Sequence, residues 1–495
     1  MGYHLLMNAL RPFLAVILML LAPMGISIAN AQEALPFEIE LPLSGVKVEL
    51  NDCLLEVTIE PGVEAPLVRA RELEGAVGEP ATFSVGMGVG QVKITQTPPA
   101  EGTDPARAIV ELVLDPRQPL HVIGRDIMLV VRAPRGGTDG ADSAPRLPGE
   151  ESAQGAAVSH TYELLDSEAD LTGIPSANIV ADNTAVHSDG GSGALAAQLT
   201  WSGLTVANHT GGIRIASADS ETTLDGFTGP VEFEIQGGGL RLREGSGTVQ
   251  GRCDNGFIAS FRWSGSFALG GDGASFEVRD GSVGQLKITS TDAVTTIEDI
   301  RGNVNIEATG GQITMDSVQG NLTATISDGG RGVMDSVSGA LVLNLRDNAY
   351  GEVNHATGSV KARVDSAELN VSAAKSLDLI STDSRAALSG IQDLAGFEAH
   401  ESEVDLDLRE VKDRKLTLLV AEGTSVNLSL KAPCKVQVRE SPSGGSGINV
   451  VGCELQMERA GKWKRGRIDA DGGQRPFMLI AKVAETGSLR VQGGF

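Results

Sequence analysis

Met315-Asp316-Ser317-Val318-Gln319-Gly320 returns nineteen residues later as Met334-Asp335-Ser336-Val337-Ser338-Gly339, and again as Val353-Asn354-His355-Ala356-Thr357-Gly358. The order is aliphatic, polar, any, aliphatic, any, Gly. It stands upstream as Ile297-Glu298-Asp299-Ile300-Arg301-Gly302 and, more loosely, as Leu224-Asp225-Gly226-Phe227-Thr228-Gly229. Looser copies follow at Val371 to Ser376, Ile391 to Gly396 and Leu408 to Asp413. A period-two run comes after each clear copy: Val304-Asn305-Ile306-Glu307-Ala308, Leu322-Thr323-Ala324-Thr325-Ile326, Leu341-Val342-Leu343-Asn344-Leu345 and Val360-Lys361-Ala362-Arg363-Val364. Such alternation reads as a strand with one face buried. A second short strand leads back to the unit, as in Gln312-Ile313-Thr314-Met315.

A fixed period near 20 with strands in every copy predicts a stacked coil. An antiparallel meander would need neither equal spacing nor the same residue at each corner. The expected fold is all-β: a parallel β-solenoid (β-helix) with coils of about 19 residues, preceded by a small β-domain. About 14 such coils fit between Leu171 and Val438. Equivalent residues then stack about 4.8 Å apart. Glu298, Asp316, Asp335 and Asn354 form an outward or corner ladder. Gly302, Gly320, Gly339 and Gly358 form another, at a turn that needs positive φ or close backbone approach.

On either side of the repeat the composition changes. Residues 32–133 read as the N-terminal β-domain: Phe37-Glu38-Ile39-Glu40-Leu41 and Val46-Lys47-Val48-Glu49-Leu50 alternate, and Ile127 to Val131 is continuously apolar. Residues 134–160 are dense in Gly, Pro, Asp, Glu and Ser and read as a flexible linker. The solenoid occupies 161–440. The tail, 441–495, drops the repeat and reads as a C-terminal cap over exposed strand edges.

Residues 1–31 carry an export signal. Arg11 precedes the apolar run Phe13 to Leu21, and Ala29-Asn30-Ala31 supplies the small-x-small pattern before cleavage, leaving Gln32 first. No later segment has the roughly 20 apolar residues of a membrane-spanning helix. Export to the periplasm or the exterior permits disulfides. Of four cysteines, Cys434 and Cys453 flank a Ser/Gly-rich turn and are the favoured bridge, which leaves Cys53 to pair with Cys253. No C-x-x-C spacing suggests zinc.

The net charge of −24 disfavours nucleic acid and anionic lipid as partners. Sixty-two glycines with 4% aromatics suit many tight turns over thin aliphatic cores, and argue against a large globular enzyme. Asp316 and Asp335 lie one coil apart, at a spacing a carboxylate pair could use, but Asp-Ser at a turn ordinarily binds its own backbone. The histidines His121, His160, His187, His209, His355 and His400 are scattered without metal-ligand spacing. Gly270 to Ser275 and Asp469 to Gly473 resemble calcium loops but lack required ligands. The basic run Lys462, Lys464, Arg465 and Arg467 beside Trp463 reads as a solvated surface of the cap. No catalytic residue, metal or cofactor is expected.

The aliphatic-Asp-x-Val-x-Gly unit followed by a Leu-x-Ala or Leu-x-Leu strand resembles the bacterial putative-adhesin domains, also described as head domains of putative autotransporter adhesins. The similarity covers about Leu224 to Val438. Val110 to Pro119 is also similar to the Val-x-Leu-x-Leu and Pro turn that precedes the coils in that group. The resemblance implies a solenoid and an exported location rather than an activity. The chain shows no translocating membrane barrel, unlike true autotransporters.

The expected function is an exported, non-enzymatic cell-envelope protein, adhesin-like or a scaffold, with an envelope protein or glycan as partner. A carbohydrate-active β-helix enzyme, either polysaccharide lyase or glycoside hydrolase, is the alternative. The export signal predicts that N-terminal sequencing of the secreted protein begins at Gln32. A chain still starting at Met1 and held in the membrane would contradict it.

Overall fold

The computed structural model describes Ala31–Ala34, Phe37–Glu40 and residues 45–493, except 61–62, 64–66, 73–81, 89–90, 98–107, 116–117, 134–158, 409–414, 431–433, 441–446, 452–455, 458–462, 469–476 and 485. The export signal predicted over residues 1–31 falls outside these, apart from Ala31, which opens the first described strand. The described residues form strands and turns without a helix, and build a parallel β-solenoid of about 15 turns with coils about 18 residues apart. The period is therefore one residue shorter than the clearest copies suggest. The chain divides into two units, Met1–Ser246 and Gly247–Phe495.

Each coil supplies two strands. In the first unit, Ala177–Asp182 pairs in parallel with Leu195–Thr200, whose Leu195 in turn faces Ile213 of the next coil. These strands make one sheet. Ala185–Asp189 and Gly203–Ala207 make the second. In the second unit, Leu322–Ser327 and Leu341–Arg346 belong to the first sheet, and Arg331–Asp335 and Tyr350–Asn354 to the second. Side chains alternate, so Leu341, Leu343 and Leu345 are buried while Val342 and Asn344 face outward. Aliphatic ladders from the two sheets meet inside and bury the apolar half of every strand.

The two corners solve different problems. Between the first and second sheets the chain turns through one left-handed residue, such as Asp166, Asn183, Trp201 or Asp219. The next residue is a buried hydroxyl. Thr184 Oγ1 accepts from Ser167 N at 3.2 Å and donates to Asp182 O at 2.8 Å. Ser202 Oγ likewise accepts from Thr184 N at 3.1 Å and donates to Thr200 O at 2.7 Å. Ser384 and Ser402 repeat this in the second unit. The relay satisfies an amide at each corner that would otherwise be buried unpaired, a loss of about 1–3 kcal/mol.

The six-residue unit forms the other corner. Its third residue is left-handed, with φ of 52° at Asp299, 57° at Ser317, 55° at Ser336 and 56° at His355. Its fourth points inward, where Ile300, Val318 and Val337 are buried. The sixth is the glycine ladder: a Cβ on Gly320 would strike Gly302 O, one on Gly339 would strike Gly320 O, and one on Gly358 would strike Gly339 O. Backbones pass too closely there for any side chain. Upstream, the fourth position holds Gly191, His209 and Phe227 in succession. The His209 ring stacks on Phe227 at 5.6 Å, and a Cβ on Gly191 would press on His209. A large ring in one coil is thus accommodated by a missing side chain in the next.

The stack does not begin at 161. Leu120–Arg125 pairs in parallel with His160–Leu165, and Met128–Arg132 with Glu168–Thr172. The segment 134–158, which lies outside the described residues, therefore joins two adjacent coils. Gly45–Asn51 and Cys53–Ile59 form the coil before, and Gln91–Thr97 and Ala108–Leu114 the outermost. Antiparallel strands Thr82–Gly88 and Leu67–Glu72 flank that outermost coil. The far end reverses this plan. Phe477–Val483 and Ser488–Gly493 pair with Lys415–Val420 and Ser425–Leu430 on one side, and with Cys434–Glu440 and Gly447–Val451 on the other. Trp463–Ile468 then pairs antiparallel with Cys434–Glu440. The tail thus contains a coil of its own besides the closing strand.

Cys53 and Cys253 are both free and buried, which corrects the pairing expected between them. Cys53 lies in the first unit, where its thiol donates to Gln96 Oε1 at 3.1 Å, and Cys253 lies in the second. Cys434 is on a described strand, but its side chain and Cys453 lie outside the described residues.

Two outcomes follow from this packing. Gly320→Ala should lower the melting temperature sharply, by a loss of at least about 3 kcal/mol. Gly203→Ala, with nothing near its Cβ position, should be neutral or raise it. Equal effects would contradict the ladder. His160 is fully buried, and neither ring nitrogen has a hydrogen-bond partner among the described residues. Burial pushes its pKa down to about 4. The unfolded chain takes up this proton below about pH 6.5 and the folded chain only near 4, so stability falls with pH across that window by on the order of 3 kcal/mol. Melting at pH 7 and about pH 4.5 should show a smaller acid loss in His160→Phe than in the parent. An equal loss would refute it.

Candidate binding face on the second sheet

In the second unit the outward side chains of the second sheet line up in three columns. One runs Tyr350, Glu368, Arg385, Glu403, Ser425. The middle runs Glu352, Asn370, Ala387, Asp405, Asn427. The third carries Asn354, Ser372 and Ser389 ahead of the paired Asp407 and Ser429. The alternation that buries Leu388, Val404, Leu406 and Leu428 fixes these residues outward. Parallel pairing holds neighbours within a column about 4.8 Å apart.

Ala387 is the short member of the middle column, so the face dips at this coil. The result is an open trough of about 500 Å³. Its walls are Glu352, Asn354 and Asn370 on one side and Asp405, Asp407 and Asn427 on the other. The wall side chains hold one another. Asn370 Nδ2 donates to Tyr350 Oη at 2.9 Å, and Tyr350 Oη donates to Glu352 Oε2 at 3.2 Å. Asn354 Nδ2 donates to Glu352 Oε1 at 3.2 Å, while Ser372 Oγ donates to Asn354 Oδ1 at 2.7 Å. On the other wall, Asn427 Nδ2 donates to Asp405 Oδ1 at 2.8 Å. Arg331 lies over the Tyr350 ring at 4.8 Å and within 3.9 Å of Glu352. Arg385 lies 3.8 Å from Glu403. The contacts of Asn370, Ser372, Asn427, Arg331 and Arg385 link one coil to the next, and those of Glu352 with Tyr350 and Asn354 lie within a coil, so the face is ordered largely by the stack beneath it.

Of the ladder residues read from sequence, Asn354 lies on this face and the others precede it. Glu298 pairs with Arg279 at 3.3 Å. Asp316 accepts from Ser317 Oγ at 3.0 Å. Asp335 accepts from Ser336 Oγ at 3.2 Å and contacts His355 Nδ1 at 3.1 Å. These carboxylates serve the turns they stand in. No group of His, Cys, Asp and Glu suited to a metal occurs among the described residues. Gly270 to Ser275 is an ordinary coil corner in which Gly271 abuts the Cys253 backbone, whereas Asp469 to Gly473 lies outside the described residues. Trp463, Lys464, Arg465 and Arg467 lie on the antiparallel closing strand.

The columns were not apparent from sequence because the coil length shifts here. Successive members of the first column are separated by 18, 17, 18 and then 22 residues. Aligning Tyr350-x-Glu352-x-Asn354, Glu368-x-Asn370-x-Ser372 and Glu403-x-Asp405-x-Asp407 would have exposed them.

Register and corners define the chain as a parallel β-solenoid protein. No protein-family model and no curated protein matches it. Among solved structures it is matched to a putative cell adhesion protein from Clostridium sporogenes ATCC 15579, at 7% sequence identity over 94% of this chain and 100% of the other, with a TM-score of 0.11. A score of that size establishes no shared fold. No helix among the described residues is long and apolar enough to cross a membrane.

Proposed function

We propose that the chain is an exported, non-enzymatic cell-envelope protein that acts as an adhesin-like binder, presenting the trough around Ala387 to an envelope protein or glycan. The observation that carries this reading is the mutual hydrogen bonding of the trough walls. Glu352 and Asp405 accept from Tyr350, Asn354 and Asn427, so their oxygens help set a fixed polar surface. Rigid, ordered side chains lose little freedom on binding and suit recognition. The repeat's resemblance to the bacterial putative-adhesin domains supports the same role, as does the export signal. In an oxidising compartment Cys434 and Cys453 would be free to pair.

Carboxylates on both sides of the dip, Glu352 against Asp405 and Asp407, favour a second reading, a carbohydrate-active enzyme. One experiment separates the two. The mature protein is applied to arrays of glycans and of fractionated envelope proteins, and the supernatant is followed for released sugar. Saturable binding without product, lost in Ala387→Trp at unchanged melting temperature, is the expected result. Product release would replace binding by catalysis. Absence of binding to either array would leave only a scaffold role and sink the adhesin-like one.

A further inference from the structure

We infer that the trough takes a neutral, hydroxyl-rich glycan, an assignment that rests on the binding role proposed above and narrows it to one ligand chemistry. Three observations lead there. The first is the pattern of donors and acceptors. Asn427 gives one amide hydrogen to Asp405 and keeps the other, along with its carbonyl oxygen. Asp405 keeps further acceptor sites beside it. Asn370 and Asn354 likewise give one hydrogen each, to Tyr350 and Glu352. The walls therefore offer adjacent donor and acceptor groups. Neighbouring sugar hydroxyls, each both donor and acceptor, match such pairs.

Charge is the second. Glu352, Asp405 and Asp407 line the trough, and Glu368, Asp383, Glu401 and Glu403 line the adjoining hollow at the corner. Among the described residues, Arg331 and Arg385 lie against Glu352 and Glu403. A uronate, sulfate or phosphate would meet a field of its own sign.

The third is the floor. Ala387 contributes a methyl group and Ser389 a hydroxyl, with Tyr350 the one aromatic among the described residues that line the trough. Protein partners draw most of their affinity from aromatic and Arg anchors seated in desolvated pockets. A shallow, open dip with one tyrosine at its edge does not provide such a seat. A sugar, which needs many modest hydrogen bonds over a small area, fits it better.

The test is calorimetry on the full mature chain with three sets of oligosaccharides, neutral, uronate-containing and amino-containing, at low and high salt. The neutral set should bind, with affinity changing less than about twofold between salts because no ion pair is formed. Asn427→Ala and Asn370→Ala should each weaken binding by roughly tenfold, about 1.4 kcal/mol at fixed melting temperature. Ala387→Trp should abolish it. Binding confined to the amino set and falling steeply with salt would overturn the neutral assignment, as would neutral binding indifferent to all three variants. Capture of an envelope protein with no sugar bound would overturn the glycan assignment while leaving the adhesin-like role intact. Silence in both screens would remove the two together.

Discussion

Everything in this molecule depends on how closely one coil's backbone lies over the next. Parallel pairing sets that separation at about 4.8 Å, and no side chain can alter it. At the strands this is harmless, because side chains leave the sheet at right angles. At the corners it is restrictive. The peptide must turn while its amides still reach the neighbouring coil. Gly320, Gly339 and Gly358 answer one corner by having no side chain. Thr184, Ser202, Ser384 and Ser402 answer the other with a hydroxyl in place of the missing ladder bond.

The same closeness orders the surface. Outward residues of successive coils stand near enough to bond sideways, as Asn427 does to Asp405 and Asn370 to Tyr350. A polar groove on a globular domain is usually assembled from loops. Here it is assembled from strand positions whose inward neighbours are Leu388, Leu406 and Leu428. Its depth comes from a difference of a few atoms between Ala387 and the Asn and Asp residues of the coils beside it. The relief of such a face is set by side-chain length, without altering the stack.

The glycine corner was legible in the sequence because its two inward positions and its glycine are chemically restricted together. Met315, Val318 and Gly320 each exclude most alternatives, so the pattern survives from copy to copy. The hydroxyl corner was not legible. Its position is filled by Ser167, Thr184, Ser202 and Ser220 and later by Ala293 and Ala367, and only the structure shows that a hydroxyl there bonds across coils. The six-residue unit was not legible in the early coils because Gly191 and His209 occupy a position read as aliphatic, a substitution that works only because the two are neighbours. The trough was hidden by the uneven spacing of its columns. The coil around Leu120–Arg125 and Met128–Arg132 was hidden by the 27 residues, 133–159, that separate it from the next.

The C-terminal end of the stack runs against chain order. There the outermost coil is laid down before its inner neighbour: Cys434–Glu440 and Gly447–Val451 lie beyond Phe477–Val483 and Ser488–Gly493, though they precede them in sequence. At the other end Gly45–Asn51 lies inside Gln91–Thr97. A coil wedged between two others cannot be peeled away as a terminal turn can. Fraying, which ordinarily starts at the last residues of a repeat array, would here have to begin by parting a coil that is hydrogen-bonded above and below. At the C-terminal end the last described strand is thereby moved off the exposed edge, and it is covered by residues further from the terminus than itself.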